Sequence, residues 1–159
     1  MERDLGEPLD HLRHILGVSI GAFRRYVKIM PLTTYRDALP VEPFHVARIV
    51  ATRHHDCGTC VQTVVNYAKK DGVPIAVLRA TVDGEPDALP EELAEIYRFT
   101  EAVVKATYDE EPLRERIRKR YGEQAFVELA IAIGATPYFP LTKRALGFGV
   151  TCAKVVVAV

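Results

Sequence analysis

Residues 44–65 read FHVARIVATRHHDCGTCVQTVV and carry the strongest helical pattern of the chain. On both sides of the HHD triplet, apolar side chains recur every three or four residues, the spacing that places them on one face of an α-helix. Asp56 is a good N-cap residue for a second helix that begins at Cys57. The stretch therefore predicts two consecutive helices, the second of which starts at a pair of cysteines.

The second predicted helix carries Cys57 and Cys60 three residues apart, so both fall on one side of its first turn. Its apolar positions share that inward side and are Val61, Val64, Val65 and Ala68. Asp71-Gly72 followed by Pro74 is typical of a helix end. We expect the two cysteines to face the core or a subunit partner.

The first predicted helix has Pro40 and Pro43 at its start, and it carries one apolar and one polar face. The apolar face predicts buried residues, namely Phe44, Ala47, Val50 and Ala51. The other face is a polar, partly cationic stripe, formed by His45, Arg48, Thr52 and His55.

Outward from this pair of helices, the rest of the chain is also helical in pattern. Residues 9–30 predict one or two helices that weaken at Gly17 and Gly21 and stop at Pro31. Further helices are predicted over residues 74–80, 90–108, 109–122 and 122–147, the last with a kink near Pro137 and Pro140. In the helix over 90–108 the expected buried stripe is Leu93, Ile96, Tyr97, Thr100, Val103 and Val104. Because the β-prone residues 155–159 have no strand to pair with, we expect them to form an irregular tail. Together the predicted helices indicate an all-α bundle of six to eight helices in a single domain over residues 1–159.

The composition points to a small soluble protein without a charged partner. The chain has 159 residues, 48% of them hydrophobic, and 21 basic residues balance 21 acidic ones, so no net field attracts nucleic acid or an anionic membrane. Residues 1–8 carry charges where a secretory signal needs apolar side chains, and prolines and charges interrupt the apolar stretch 126–150. Three cysteines, two of them close together in the sequence, are typical of a reducing compartment. These features predict a cytoplasmic protein with no nucleic-acid and no membrane partner.

The cysteine pair indicates reversible thiol–disulfide chemistry. A helix N-terminus stabilises a thiolate because its unpaired N–H groups carry partial positive charge. Cysteines at positions i and i+3 stand about 5–6 Å apart at Cβ, slightly beyond the roughly 3.5–4.5 Å of a disulfide, so a small adjustment at Gly58 would open or close the bond.

The segment of residues 47–62, followed by Ala68 and by Gly72-Val73-Pro74, resembles the core repeat of the carboxymuconolactone decarboxylase and alkylhydroperoxidase D-like (AhpD-like) proteins. The resemblance implies an all-helical fold assembled as a homo-oligomer, a trimer or hexamer. Some members are antioxidant peroxidases that reduce hydroperoxides without a cofactor or metal. By that resemblance Cys60 would be oxidised to sulfenic acid, Cys57 would resolve it as a redox-active disulfide, and an external thiol or dithiol would reduce the disulfide.

The sequence departs from the peroxidase members at their proton relay. Those members have a glutamate twelve positions before the first cysteine and a histidine four positions after the second, and here these residues are His45 and Val64. A valine cannot act as a general base. His45, His54 and His55 are the candidate substitutes, each of which would otherwise be a surface, interface or last-turn histidine.

Other interpretations of the same residues stay open. The two cysteines could be small buried hydrophobes, as we expect Cys152 to be, or half of a zinc site, although no second ligand pair follows at zinc-like spacing. The basic run over residues 114–120 is flanked by acids and predicts a solvated helix face. The functional alternatives are a decarboxylase-like enzyme, which would not need the pair, and a non-catalytic helical module of the same fold.

Overall fold

The computed structural model describes residues 9–55, 58–149 and 155–157. This part of the chain contains helices and no strand, which confirms the all-α class. The α-helices in chain order are α1 Asp10–Val18, α2 Ile20–Tyr26, α3 Met30–Thr34, α4 Val41–Arg53, α5 Thr59–Lys70, α6 Ile75–Asp83, α7 Glu91–Lys105, α8 Glu111–Ala135 and α9 Tyr138–Ala145. Seven of these described helices have eight residues or more, within the predicted six to eight. Two 3₁₀ turns, Val27–Ile29 and Pro86–Ala88, connect neighbouring helices.

Helix α4 lies at the centre of the bundle. It contacts α5, α6, α7 and α8, and its most extensive contact is with α7. Ten consecutive positions, residues 43–52, are buried, because neighbours cover α4 on every side. The predicted apolar faces of α4 and α5 are confirmed, since all four apolar residues named for each helix are buried.

The polar stripe of α4 lies inside the protein. His45, Arg48 and Thr52 are 0%, 4% and 1% exposed, and only His55 at the end of the stripe reaches partial exposure. A local helical pattern shows which residues share a face, but it does not show how many neighbouring helices cover that helix. Three polar side chains are therefore enclosed where an amphipathic helix would expose them.

Helix α6 runs to Asp83, three residues beyond the predicted end at residue 80, and other features of the helices also differ from expectation. Helix α5 begins at Thr59, two residues later than predicted, and Asp56 and Cys57 lie outside the described residues. Pro31 lies in the first turn of α3 and does not stop a helix, since a proline there lacks only an N–H that would have no helical partner. Val103 was expected in the buried stripe of α7 but is 38% exposed, because the helix is near its end and has left the core there.

Two glycines end or divide helices by adopting positive φ. Gly84 terminates α6 in the left-handed conformation, which glycine adopts without steric cost. Gly122 has φ 84° and ψ 169° inside α8, so it divides α8 into two helical halves. This confirms the predicted break at Gly122, and Pro137, between α8 and α9, confirms the later one.

Among the described residues, the stretch Glu111–Ala145 is long and apolar enough to cross a membrane, judged by length and composition alone. Of its most apolar window, 44% is buried inside the fold. Core helices meet the same criterion, so this is weak evidence, and the expected absence of a membrane partner stays a prediction. In the tail, residues 155–157 have no regular structure, and Val156 exchanges two hydrogen bonds with the side chain of Gln62, of 3.2 and 2.7 Å.

Candidate functional site

A cavity of about 110 Å³ lies beside the start of α5. Its wall on one side comes from the N-terminal helices and on the other from α4, α5 and α9. Most of the surface that lines the cavity is apolar, and the wholly apolar lining side chains are Leu9, Leu12, Val27, Met30, Val64, Phe139 and Pro140. The polar or titratable lining residues are His11, Tyr26, Thr33, Thr34, Arg48, Thr52, Cys60, Thr63, Tyr67 and Thr136. Concave, largely apolar sites with a few convergent polar groups are the usual form of a small-molecule site.

Cys60 is the nucleophilic side chain of this cavity. It is the second residue of α5, so it lies in the first helical turn as the sequence predicts, and it is partly buried. The ammonium group of Lys143 on α9 donates a hydrogen bond to the hydroxyl of the preceding residue, Thr59. The N-terminal end of the helix and Lys143 both attract negative charge to this point.

Arg48 supplies a buried positive charge to the same cavity. Its guanidinium carbon lies 5.1 Å from the ring centre of Phe44 and 5.8 Å from that of Tyr67. Burial lowers the pKa of Arg48 to about 10, and Tyr67 and Asp71 partly offset this effect, so the side chain remains protonated at neutral pH. Nε of Arg48 is buried, and no described residue hydrogen-bonds to its guanidinium.

Tyr26 and His11 are the other titratable groups that sequence reasoning did not find. Their rings meet edge to face, with centres 6.5 Å apart, and both side chains are buried. Burial raises the pKa of Tyr26, and the neighbouring Tyr138 and a charge on Cys60 raise it further, so the phenol stays protonated. The electrostatic effect of Cys60 on Tyr26 indicates that the two groups are near each other. No local pattern in residues 9–30 marks these two residues, because the cavity is lined by segments that are far apart in the chain.

His45 lies away from Cys60. Its Nε2 is 2.7 Å from Oδ2 of Asp71, which follows the last residue of α5. Asp71 is eleven residues after Cys60, about 16 Å along a helix at 1.5 Å per residue. A general base must lie within about 3 Å of its proton or one water away. The structure therefore does not bring His45 and Cys60 together within one protomer.

The environment of His45 keeps its imidazole neutral. Burial lowers the pKa of His45 to about 4, and the hydrogen bond to Asp71 opposes this effect without reversing it. The nearby guanidinium groups of Arg48 and Arg36 lower the pKa further. A neutral ring leaves one nitrogen to donate to the Asp71 carboxylate, while Nδ1 is buried with no hydrogen-bond partner in the described part of the chain.

His54 and His55 follow α4 and do not line the cavity. Their ring centres are 4.8 Å apart. His54 is exposed and lines a separate, polar pocket together with Arg53, Tyr97 and Glu101. Burial lowers the pKa of His55, and the charges of His54 and Arg144 lower it further. Since Asp56 and Cys57 are outside the described residues, the relation of these histidines to Cys57 stays a prediction.

In the described residues, no group of three or more His, Cys, Asp or Glu side chains lies close enough to hold a metal ion. Cys57 and Cys152, two of the three cysteines, fall outside that part of the chain. Comparison of the chain with family models, with curated proteins and with solved structures finds no match. Membership of the AhpD-like family is thus a prediction that rests on the motif.

Proposed function

We propose that the protein is a thiol-dependent oxidoreductase that reduces a small hydroperoxide or an exchangeable disulfide at Cys60, with Cys57 as the resolving thiol. One observation carries the proposal: Cys60 combines a place in the first turn of α5 with a wall position in a largely apolar cavity. The helix end and Lys143 favour the anionic sulfur that such chemistry needs. An apolar wall excludes competing water from the reacting oxygen.

In the first chemical step, the Cys60 sulfur attacks the terminal oxygen of R–O–O–H. The O–O bond breaks, Cys60 becomes a sulfenic acid, and the departing alkoxide takes a proton. Tyr26 is suited to donate that proton because it lines the cavity and remains a neutral phenol. His11 lines the cavity as well and would hold the thiol proton and return it to Tyr26.

In the second step, the Cys57 thiol attacks the sulfenic sulfur, which forms the disulfide and releases water. An external dithiol then reduces the disulfide and is itself oxidised, so that one peroxide consumes two reducing equivalents. In this scheme His11 and Tyr26 take over the proton transfers that the valine at position 64 cannot perform.

Stoichiometric oxidation tests the proposal. One equivalent of an alkyl hydroperoxide should convert reduced protein to a form with a Cys57–Cys60 disulfide, identified by peptide mass spectrometry. Cys57→Ser should instead accumulate a sulfenic acid that dimedone traps at Cys60. Cys152→Ser is the control and should react as the wild type does. If Cys60 remains a thiol, and Cys60→Ser consumes peroxide at the same rate, the proposal is wrong.

A second candidate is a non-catalytic helical module in which the cysteines serve as packing. The hydrogen bond of His45 to Asp71 favours it, because the residue at the position of the family glutamate is engaged far from Cys60. A pair that stays reduced in air and resists alkylation under native conditions would support this candidate over the enzyme.

A further inference from the structure

The guanidinium of Arg48 is buried, and no carboxylate among the described residues is hydrogen-bonded to it. Arg48 is 4% exposed and stacks between Phe44 and Tyr67, and none of the described residues lining the cavity is an aspartate or a glutamate. The acid that acts on it electrostatically, Asp71, is bonded to His45. A buried arginine is costly unless a counter-charge and hydrogen bonds compensate its lost hydration.

Among the described residues, no hydrogen bond joins the Arg48 guanidinium to another polar group of the cavity wall, and a neutral hydroxyl supplies no counter-charge. The threonine hydroxyls of the wall donate back to carbonyl groups of their own helices: Thr52 to Arg48, Thr63 to Thr59 and Thr136 to Ala132, at 2.7, 2.9 and 2.7 Å. Arg48 thus offers hydrogen-bond donors of fixed, planar geometry in a cavity whose lining surface is mostly apolar. A guanidinium of this kind matches the two oxygens of a carboxylate.

We infer that Arg48 is the anchor of a ligand site for a small monocarboxylate whose apolar body fills the cavity toward Cys60. The carboxylate would pair with the guanidinium, and the aliphatic or aromatic part would lie against the wall formed by Val27, Met30, Phe139 and Pro140. A cavity of about 150 Å³ with apolar walls is known to admit benzene, so the size suits a body of a few carbon atoms.

The site and the thiol chemistry are separate claims. Binding at Arg48 needs no reaction at Cys60. The substrate preference of the enzyme rests on the proposed function. If Cys60 reacts as proposed, the site selects hydroperoxides or disulfides that carry a carboxylate, because the carboxylate held at Arg48 directs the apolar chain toward the sulfur.

Calorimetric titration with hexanoate and with hexan-1-ol tests the inference, using Cys60→Ser protein so that no redox reaction contributes. The two probes have the same six-carbon skeleton, whose terminal carbon is a carboxylate in one and carries a hydroxyl in the other. We expect hexanoate to bind at least about tenfold more tightly than the alcohol, since a charge-assisted hydrogen bond contributes roughly that factor. Arg48→Met should abolish the difference.

Arg36→Met is the matched control. Arg36 is an exposed arginine whose guanidinium carbon lies 6.0 Å from the ring centre of the same Phe44, and it does not line the cavity. Its removal lowers the net charge by the same amount as Arg48→Met, so the hexanoate preference should persist. Circular dichroism checks that both variants are folded.

An NMR titration of Cys60→Ser protein, in which Arg48 is intact, tests the site without requiring that an Arg48 variant folds. Hexanoate should shift the side-chain Nε–H resonance of one arginine saturably, and hexan-1-ol should not. Equal affinity for acid and alcohol, a preference that survives in Arg48→Met, or no saturable shift would overturn the site. Peroxide oxidation of wild-type protein without such binding would leave the proposed function standing and the site refuted.

Discussion

At the scale of single residues, the contacts of a side chain show its role better than its residue type does. His45 and His11 are both buried histidines, yet one bonds to Asp71 at the far end of α5 and the other lines the cavity with Cys60. Sequence spacing marked the first and not the second. The residues that define the cavity chemically are Arg48, Tyr26 and Cys60, which come from three different helices.

Tyr26→Phe is expected to slow peroxide-dependent oxidation of Cys60 by about 100-fold, the usual contribution of a positioned general acid. The phenol is neutral in the folded protein, so its role is proton donation, and its own titration should not change the rate below the alkaline range. Stopped-flow fluorescence with excess alkyl hydroperoxide measures the rate. Tyr108→Phe, at an exposed tyrosine, is the control. Equal rates in Tyr26→Phe and wild type would remove Tyr26 from the mechanism.

Because the pKa of His45 is lowered, we expect the protein to lose stability as the pH falls below neutrality. Its folded pKa of about 4 lies below the ordinary value of 6.5, so between these values the unfolded chain binds a proton that the folded protein does not. The stabilisation is complete above pH 6.5 and declines toward pH 4. At 1.36 kcal/mol per pH unit, we expect the free energy of unfolding to fall by about 2 kcal/mol from pH 7.5 to pH 5.

Urea denaturation at the two pH values measures this difference. His45→Gln should remove most of it, whereas His55→Gln should remove a smaller part, because burial lowers the pKa of His55 as well. A slope unchanged in His45→Gln would show that other groups govern the pH dependence.

At the scale of elements, one carboxylate fixes the segment that leads into α4. Glu128 of α8 is 1% exposed and accepts hydrogen bonds from the backbone N–H groups of Asp37, Ala38 and Leu39 at 2.8 to 3.0 Å. Burial would raise the pKa of Glu128, but these three donors together outweigh it, and the pKa is lowered. The side chain thus pairs backbone groups that no helix or sheet satisfies.

Glu128→Gln should lower the free energy of unfolding by about 2 to 3 kcal/mol, because its amide group places a donor against backbone donors. Gln124→Ala is the control, since the Gln124 amide reaches Glu128 only at 3.4 Å, and we expect less than about 1 kcal/mol. Urea denaturation at pH 7 measures both changes. Similar stability of Glu128→Gln and wild type would mean that the segment holds its conformation without the carboxylate.

Two glycines of α8 give opposite expectations for the same substitution. Gly122 has φ 84° and no atom within 4 Å of the point where a Cβ would lie, so Gly122→Ala is opposed by backbone strain alone and should cost about 1 to 3 kcal/mol. Gly134 is helical and exposed, with equally open space, so Gly134→Ala should stabilise by about 0.5 to 1 kcal/mol. Thermal denaturation of the pair measures the signs. Destabilisation by both changes would contradict the helical assignment at Gly134.

At the scale of the whole molecule, the homo-oligomer implied by the sequence resemblance stays a prediction. Several large apolar side chains are exposed on the single chain, among them Val18 at 73% and Ile20 at 59%. Exposed apolar residues are common singly, so their number alone decides nothing. Sedimentation equilibrium should give three or six times the chain mass of 17.7 kDa, and a monomer at micromolar concentration would contradict the expectation.

The sequence predicted the local structure well where a strong local signal exists. The helix start at Pro40, the helix end at Asp71-Gly72 and the break at Gly122 all follow from backbone chemistry that a neighbour in space does not change. Val103 and Pro31 were misplaced because periodicity does not record where a helix leaves the core or whether a proline begins a new turn.

Local sequence signals were enough to predict the all-helical class, the buried faces of α4 and α5, and the position of Cys60 in a first helical turn. Only the tertiary structure decided that the polar stripe of α4 is enclosed, that His45 bonds to Asp71, and that Arg48, Tyr26 and Cys60 share one cavity. The physical reason is that helix periodicity arises within a few residues, whereas burial and ion pairing depend on contacts between segments far apart in the chain.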